Sequence, residues 1–447
     1  MIKIGMISLG CPKNQVDAEM MLSTLCEAGF EITGEVEGTD VVIINTCGFI
    51  GDAKKEAIDT ILEVCQLKDE GSVGAVVVTG CLAQRYKDEI MNEIPEVDAV
   101  IGIGANAEIA SVCRDVLESK KVNLFPPKLS LPLEGGRVLT TPPHYAYLKI
   151  AEGCSNCCTY CAIPKIRGKF RSREMENIIA EAKSLAENGV KELIVVAQDT
   201  TKYGIDLYGE LKLAELLKEL CKIDGIEWIR TLYCYPESIT DALIEVMASE
   251  DKICKYIDIP LQHCDGDVLK RMNRRGDRES LTALINKLRA RIPDITIRTT
   301  FIVGFPGETQ ENFESLSEFA DEMKFDRYGC FAYSAEEDTP ATTMENQIDE
   351  DVKIERASIM NSQQQRIFED KLEALVGKEL TVIVDGFDED EMLYFGRSYM
   401  DAPEIDTVVI ISSEEELTAG QFVKGVVKGN LNGELIVEAE LTPIDEL

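Results

Sequence analysis

The sequence of 447 residues contains no uninterrupted apolar run near the roughly 20 residues that a membrane-spanning helix needs. Its first residues, MIKIGMISLG, lack the charged segment and the long apolar core of a secretory signal peptide. Histidine occurs only twice, at His144 and His263, and neither position has the spacing of a metal site. The sequence also has no nucleotide-binding P-loop and no nucleophile elbow. We therefore expect a cytoplasmic protein that does not act on membranes.

Cysteine, by contrast, is abundant, with 15 residues. Reducing compartments keep thiols reduced, so clustered cysteines there indicate metal or redox chemistry rather than disulfides. Four of them, Cys154, Cys157, Cys158 and Cys161, fall within the stretch CSNCCTYC. This loop is the first candidate for a functional site.

Residues 1–120 alternate short apolar runs with amphipathic stretches. The apolar runs predict strands at 2–9, 40–46, 73–80 and 99–104. Strands that alternate with helical patterns predict a doubly wound α/β domain with a parallel sheet. Residues 121–143 are rich in proline and glycine, and we predict that they form a linker.

Residues 144–370 are predicted to form a partial (βα)6 barrel. Strand-like runs lie at 145–150, 192–197, 226–233, 255–260, 295–303 and 325–333, with helical patterns in the gaps. In the related eight-fold barrel, chemistry takes place at the C-terminal ends of the strands. Because the four-cysteine loop directly follows the first strand, it is placed for chemistry.

Residues 373–441 contain short strand-like runs with turns between them, which predicts a small antiparallel β-barrel. Such a fold suits oligonucleotide binding, but the charge argues against that role. Residues 376–447 hold four Lys or Arg against 17 Asp or Glu, and the whole chain has a net charge of −35. A strongly acidic surface repels nucleic acid and favours basic partners.

The four-cysteine loop can be interpreted in two ways. Two CxxC pairs would supply four thiolates for a zinc ion or a fully ligated cluster. The pattern CxxxCxxC would instead use Cys154, Cys158 and Cys161, and would leave one iron of a four-iron cluster open to a substrate or cofactor. The second interpretation is favoured, because tandem CxxC zinc sites usually separate their pairs by a dozen or more residues. The closed site stays open as an alternative.

The CxxxCxxC loop, with the aromatic Tyr160 before its third cysteine, resembles that of the radical S-adenosylmethionine enzymes. The resemblance implies that the open iron binds the amino and carboxylate groups of S-adenosylmethionine. It also implies that one electron cleaves a carbon–sulfur bond to give a 5′-deoxyadenosyl radical, which removes hydrogen from an unactivated carbon. The cofactor supplies this chemistry, and the protein supplies binding, orientation and shielding from water. Cys157 departs from the family's loop, which usually has another residue there, so Cys157 is a possible competitor for iron.

Three further cysteines follow predicted strands of the first segment, in SLGC, INTC and VTGC. They are Cys11, Cys47 and Cys81. Ligands of open α/β sheets gather at the C-terminal strand ends, so three strand ends can place three thiolates around one site. The alternative is that cysteine occurs at these positions only because small residues suit tight turns. The repeated pattern favours a second three-ligand 4Fe–4S cluster.

Two open clusters on this layout resemble the methylthiotransferases, over essentially the whole chain. The resemblance implies an N-terminal methylthiotransferase domain, a radical core and a C-terminal barrel of the TRAM type. It implies that sulfur and a methyl group are inserted into a C–H bond. One S-adenosylmethionine would give the methyl group and a second the radical, while the cluster at Cys11, Cys47 and Cys81 would carry the sulfur. An electron donor such as flavodoxin or ferredoxin is also implied.

The family has a branch that modifies a tRNA adenosine and a branch that modifies a ribosomal protein. The stretches VAQDTTKYGIDLYG and GRSYMDAPEIDTVVII resemble the ribosomal-protein branch. The acidic barrel also suits a basic protein better than an RNA backbone. The resemblance implies that the target is the β-carbon of an aspartate in small-ribosomal-subunit protein twelve. A tRNA substrate and a non-catalytic iron–sulfur carrier are the alternatives.

Other residues near the predicted strand ends are candidates for binding. Those expected near the cofactor are Tyr160, Gln198, Gly304 and Gly307. Those expected near the substrate are Arg167, Arg171 and Asp199. The two arginines belong to the stretch PKIRGKFRSR, whose five cations stand out in so acidic a chain; they would hold a carboxylate. A solvated stretch before the next helix is an equally good interpretation of these cations, and an ordinary turn is the alternative for the two glycines.

Overall fold

The computed structural model describes residues 1–440, and the N-terminal part is the predicted doubly wound α/β domain. Its strands are β1 (Lys3–Ser8), β2 (Glu31–Thr33), β3 (Thr39–Thr46), β4 (Val73–Thr79), β5 (Ala99–Ile101) and β6 (Val122–Leu124). They pair in parallel in the order β2-β1-β3-β4-β5-β6. The sheet is wider than expected, because the short edge strands β2 and β6 have too few apolar residues to give a pattern. Strand β6 lies inside the predicted linker, so the sheet extends past residue 120.

Helices cover both faces of this sheet. They are α1 (Pro12–Glu27), α2 (Gly51–Asp69), α3 (Gly80–Arg85), α4 (Lys87–Glu93) and α5 (Ile109–Leu117). Strands β3 and β4 are buried along almost their whole length because helices cover both of their faces, and their centres are apolar runs. Val41 and Ile43 pack against α1 and α5 on one side, while Val42 and Ile44 pack against α2 on the other.

The central part is a six-stranded parallel sheet that curves into an open half-barrel. Its strands are β7 (Tyr145–Lys149), β10 (Glu192–Val196), β11 (Trp228–Thr231), β12 (Ile253–Gln262), β13 (Thr296–Val303) and β14 (Arg327–Ala332), and β8 (Ala151–Glu152) and β9 (Arg171–Ser172) form a separate ribbon. The main strands pair in the order of the chain, so all six predicted strands are confirmed. The open edges are β7 and β14.

The half-barrel has nine helices among the described residues, and the longer ones pack on its outer face. They are α6 (Ile163–Arg167), α7 (Met175–Glu187), α8 (Ile205–Tyr208), α9 (Leu213–Cys221), α10 (Asp241–Ser249), α11 (Gly266–Arg271), α12 (Arg278–Arg291), α13 (Gln310–Met323) and α14 (Glu350–Glu373). The short helix α6 lies instead against the N-terminal domain. The sequence pattern predicts α7, α9, α10, α12 and α13. It does not predict α14, whose buried side includes charged and amide side chains such as Lys353, Arg356 and Gln363.

The C-terminal part is a closed barrel. Its strands are β15 (Glu379–Asp388), β16 (Leu393–Ser398), β17 (Val409–Ser412), β18 (Phe422–Leu431) and β19 (Glu434–Glu440), in the order β15-β16-β17-β19-β18. The predicted small barrel is confirmed, but it is not wholly antiparallel, because β17 and β19 pair in parallel. The predicted boundary at residue 441 lies one position beyond the described residues. None of the helices in residues 1–440 is both long and apolar enough to span a bilayer.

Helix α1 connects the N-terminal domain to the half-barrel. Its residues Val16 and Met20 pack among Tyr145, Tyr147 and other inward side chains of the half-barrel. A segment of the C-terminal barrel reaches the same core with Ala402. The inner face of the open sheet is therefore covered by elements from both flanking domains.

Buried ion pairs hold the C-terminal barrel to the half-barrel. Glu192 of β10 accepts hydrogen bonds from Arg230 Nε at 2.8 Å and from Arg397 Nη1 at 2.5 Å. Arg397 also donates to Asp385, which lies 2.7 Å from His144 Nε2. Burial raises the pKa of Glu192, but Arg397 and Arg230 outweigh burial and the pKa falls below its usual value. The carboxylate is therefore charged at neutral pH.

Replacing Arg397 tests this interface. Arg397→Met should lower the free energy of unfolding by about 3 kcal/mol, because it leaves buried carboxylates short of a cation. The lowered pKa of Glu192 means that this contribution is complete above the ordinary glutamate pKa of about 4.3 and is lost as the pH falls below it. The measurement is urea unfolding of both proteins at pH 7 and at pH 3.5. The control is Lys428→Met, which breaks an exposed barrel ion pair and should change stability by about 0.5 kcal/mol or less. Equal losses of unfolding free energy in Arg397→Met and Lys428→Met would contradict the stabilising role of Arg397 at this interface.

Candidate active site

The three N-terminal cysteines lie at the C-terminal ends of neighbouring strands. Ser8, Asn45 and Thr79 stand side by side in the register of β1, β3 and β4. Cys11, Cys47 and Cys81 come two or three residues later in each chain segment. They are therefore brought together at one edge of the sheet. We call these three cysteines the N-terminal triad.

Close contact between the three loops depends on glycine. Gly10 has a φ of +93°, and a β-carbon there would lie 2.9 Å from the sulfur of Cys47. Gly80 has the same φ, and a β-carbon there would lie 2.5 Å from the carbonyl oxygen of Thr46. A side chain at either position would push the cysteine loops apart.

The thiols of the N-terminal triad influence one another. Burial raises the pKa of the Cys81 thiol to about 12, and the neighbouring Cys11 and Cys47 raise it further, while Arg167 lowers it. Burial is also the main cause of the raised pKa of Cys47. Metal binding to such thiols releases protons, since the ligand is the thiolate.

The half-barrel carries the second group of cysteines, in the loop between β8 and α6. Cys154 and Cys158 are buried, and Cys161 is partly exposed. Burial raises the pKa of Cys161 to about 12 and of Cys154 to about 11, and Cys158 raises both. We call Cys154, Cys158 and Cys161 the core triad.

Cys157 stands apart from the core triad. It is exposed, and its backbone is in the left-handed region with a φ of +53°. Its carbonyl oxygen accepts a hydrogen bond from Asn273 at 3.0 Å. This placement favours the CxxxCxxC interpretation over two CxxC pairs.

Both triads have the donors that a 4Fe–4S cluster requires. Thiolates are the usual ligands of iron–sulfur clusters, and each thiolate bonds a different iron. Within residues 1–440, no three His, Cys, Asp or Glu side chains converge closely enough to hold a single metal ion. The assignment of clusters to the triads therefore rests on the thiol donors and on their place at the strand ends.

Two buried polar atoms near the core triad have no hydrogen-bond partner among residues 1–440. These atoms are Gln198 Oε1 and Arg274 Nη1. The guanidinium of Arg274 stacks on Tyr235, whose hydroxyl lies 3.8 Å from the sulfur of Cys158. Unpaired polar groups of this kind suit a polar ligand such as S-adenosylmethionine.

The two triads lie next to each other across the domain boundary. Cys81 packs against Ala162 and Ile166, and Ala162 directly follows Cys161 in the chain. A cavity of about 310 Å³ lies beside Cys11 and is lined by Gln15, Thr140 and Glu404 among others.

A buried network of four charges joins the domains at this point. Its members are Asp17 of α1, Lys149 of β7, Glu152 of β8 and Arg167 of α6, and we call it the ion network. Lys149 and Arg167 each contact both carboxylates. Burial raises the pKa of Glu152, but Arg167 and Lys149 outweigh burial and lower it to about 2. The Glu152 carboxylate is therefore charged at neutral pH.

Family models match three parts of the chain. Residues 3–102 match the uncharacterized protein family UPF0004, residues 148–320 match the radical SAM superfamily, and residues 376–439 match the TRAM domain. Membership of the radical SAM superfamily implies a 4Fe–4S cluster and S-adenosylmethionine.

Relatives match almost the full length. The ribosomal protein uS12 methylthiotransferase RimO of Lachnoclostridium phytofermentans is 50% identical over 440 residues, which cover 98% of this chain and 100% of that protein. RimO of Clostridioides difficile is 51% identical over 424 residues, or 95% of each chain. The chain belongs to the RimO family. The predicted membership of the methylthiotransferases is confirmed.

Solved structures share the fold of this RimO-family chain at low sequence identity. The radical S-adenosylmethionine methyltransferase TsrM of Kitasatospora setae, with tryptophan and aza-SAM bound, has a TM-score of 0.55 at 13% identity. The alignment covers 74% of this chain and 72% of TsrM. A second TsrM structure, with cobalamin and a 4Fe–4S cluster, gives a TM-score of 0.53 at 13% identity and covers 76% of each chain. At this identity the likeness shows the fold alone.

The residues expected near the substrate differ in their surroundings. Arg167 is 1% exposed and lies in the ion network beside Cys81. Arg171 donates to the carbonyl oxygen of Leu129 at 3.0 Å and therefore holds the linker. Asp199 accepts a hydrogen bond from Asn156 at 2.8 Å and so anchors the cysteine loop.

The residues expected near the cofactor fall into two groups. Tyr160 packs near Cys158, and Gln198 donates to Glu152 at 3.2 Å, so both lie at the core triad. Gly304 and Gly307 have positive φ values of +70° and +78°. A β-carbon at Gly304 would lie 2.3 Å from the Lys353 side chain, so helix packing alone accounts for glycine there.

Several site residues gave no usable signal in the sequence. Asp17, Lys149 and Glu152 are single charges in otherwise ordinary stretches, and their partners are far away in the chain. Glu152 stands two residues before the first cysteine of its loop. The only sequence signal for its role is that a predicted buried run ends in a charged residue. Lys13 and Arg274 are likewise buried cations whose burial only the fold reveals.

Replacing Arg167 tests the ion network. Arg167→Met should destabilise the protein without bound metal by about 3–5 kcal/mol, because two buried carboxylates keep only Lys149 as partner. Arg171→Met removes only hydrogen bonds to linker carbonyls and should cost about 1 kcal/mol. The measurement is urea unfolding of both variants at neutral pH. A loss for Arg167→Met no larger than that for Arg171→Met would refute the network's role.

Proposed function

We propose that this chain transfers a methylthio group to the β-carbon of an aspartate in ribosomal protein uS12, using two 4Fe–4S clusters and S-adenosylmethionine. Membership of the RimO family supports the reaction and its protein substrate. The observation that carries the proposal is the contact of Cys81 with Ala162. It brings two cysteine triads, each suited to a cluster with an open iron, to either side of one domain boundary.

The assignment of ligands follows from the two triads. Cys11, Cys47 and Cys81 would hold one cluster, and Cys154, Cys158 and Cys161 would hold the cluster that binds S-adenosylmethionine. When bound, these groups supply hydrogen abstraction, the methyl group and the sulfur. Cys157 is exposed and turned away, so it is left outside the ligand set.

The chain itself supplies orientation and exclusion of water. The ion network fixes the loop of the core triad to α1, which begins directly after Cys11. Cys81, Cys154 and Cys158 are all less than 9% exposed, so the reacting groups are shielded on the protein side. Arg167 donates to Asp17 and also lies beside Cys81, where its charge favours the thiolate.

Charge supports a protein substrate over RNA. The chain carries a net charge of −35, and its C-terminal barrel is rich in Asp and Glu. An acidic surface attracts a basic ribosomal protein and repels phosphates. By the same family reasoning, we place the reaction in the cytoplasm, with an electron donor of the flavodoxin or ferredoxin class.

Iron counting tests the two clusters. Anaerobically reconstituted protein should contain about eight irons per chain, and the variant with Cys11, Cys47 and Cys81 changed to Ala should contain about four. Because the core triad is intact, that variant should still release 5′-deoxyadenosine when reduced in the presence of S-adenosylmethionine. Cys157→Ala is the matched control and should keep about eight irons. A count of about four irons in the unaltered protein would rule out the second cluster.

Mass spectrometry tests the substrate. Reconstituted protein with S-adenosylmethionine and a reductant should add one methylthio group to an aspartate of purified uS12. Unmodified tRNA in the same assay should stay unmodified, because an acidic barrel cannot hold its phosphates. Modification of tRNA would select the tRNA branch. Loss of 5′-deoxyadenosine formation altogether would select an iron–sulfur carrier.

A further inference from the structure

Lys13 is a buried cation at the start of α1. It is 6% exposed and stands two residues after Cys11. Its amino nitrogen lies 3.3 Å from the centroid of the Tyr233 ring, in a cation–π contact between the N-terminal domain and the half-barrel. The side chain therefore crosses the boundary between the two triads.

Lys13 differs from the two cations of the ion network. Lys149 and Arg167 each contact two carboxylates. Lys13 forms no ion pair with any carboxylate of residues 1–440. Burying an ammonium group is costly, and one aromatic face compensates for only part of that cost. Lys13 can therefore gain from a carboxylate that the described residues do not provide.

The position of Tyr233 places this cation between the triads. Tyr233 lies two residues after the end of β11, with a φ of +60°, and its backbone N–H donates to Asp258 at 3.0 Å. Two residues later, the hydroxyl of Tyr235 lies 3.8 Å from the sulfur of Cys158. Lys13 is thus linked to the N-terminal triad through Cys11 and to the core triad through Tyr233. The carbon that accepts sulfur must stand in this same region.

We infer that Lys13 binds the side-chain carboxylate of the uS12 aspartate that receives the methylthio group. This inference rests on the proposed function and adds the residue that selects an acidic side chain. The ammonium group has three donors, and the ring of Tyr233 occupies one side of it. A carboxylate on another side forms an ion pair with it and holds the adjacent β-carbon between the triads.

Arg274 is another buried cation with spare hydrogen-bonding capacity. Its Nη1 has no partner among the described residues, but its guanidinium stacks on Tyr235, on the side of Cys158. That position suits the cofactor at the core triad. Lys13 alone of the two reaches across the domain boundary to the region of Cys11.

Binding measurements with matched variants test the inference. The substrate is uS12 and a form in which the modified aspartate, located by mass spectrometry, is changed to asparagine. Reconstituted wild-type protein should bind the aspartate form about tenfold to a hundredfold more tightly, the loss expected for a charged hydrogen bond. Lys13→Met should bind the two forms equally, within about twofold, because the charge that distinguishes them is gone. Lys55→Met, at an exposed lysine of α2, should keep the wild-type ratio.

Two further variants keep the test decisive if Lys13→Met folds poorly. Lys13→Gln should lose the preference for aspartate, and Lys13→Arg should keep most of it. Iron content and 5′-deoxyadenosine release without uS12 should match the wild type in each variant used, which shows that both triads are intact. If a variant lost iron but kept the preference for aspartate, Lys13 would serve the N-terminal cluster and the inference would be wrong.

The remaining outcomes separate the inference from the proposed function. Equal binding of both uS12 forms by the wild type, with methylthiolation still observed, would overturn the role of Lys13 alone. A Lys13→Met variant that still binds the aspartate form of uS12 more tightly would also overturn the role of Lys13 alone. Absence of methylthiolation of uS12 by the wild type would overturn the proposed function itself.

Discussion

Four charges buried at one domain boundary, those of Asp17, Lys149, Glu152 and Arg167, determine how the two cysteine triads face each other. Each of the four comes from a different element, and each carboxylate is shared by both cations. Buried charges are expensive to desolvate, and their attraction offsets that cost only when the geometry is good. A shifted domain would leave charges unpaired, so the network favours a single arrangement.

The proposed reaction would require this arrangement. A group held at Cys81 and a group held at Cys161 would have to reach the same carbon, and the packing of Cys81 with Ala162 and Ile166 brings the two loops together. The linker reinforces the junction, because Arg137 binds Glu19 of α1 and Glu181 of α7. Apolar packing of Val16 and Met20 inside the half-barrel strengthens the association of the two domains, whereas the ion network favours one relative orientation of them.

The sequence predicts the strands well and the charge pairs poorly. Buried parallel strands such as β4 are continuous apolar runs, and a cysteine after each such run is visible without any structure. The pairing of Asp17 with Arg167 spans 150 positions, so no local pattern can indicate it. The same limit applies to Lys13, since a lysine near a helix start normally lies in solvent. Gly304 has a packing role with Lys353 that the sequence did not indicate, while its place near the cofactor stays a prediction.

Helix α1 has a dipole, with its positive end at the N-terminus, in addition to its packing role. Its N-terminal end starts beside Cys11, whose carbonyl oxygen accepts the first backbone hydrogen bonds of the helix, from Asn14 and Gln15. The unpaired N–H groups at a helix start carry a partial positive charge, which stabilises a nearby anion by about 0.3–1 kcal/mol. Helix α1, which packs the N-terminal domain against the half-barrel, therefore also has its positive end beside Cys11. An electron-rich iron–sulfur centre placed there would be easier to reduce than the same centre at the opposite end of the helix.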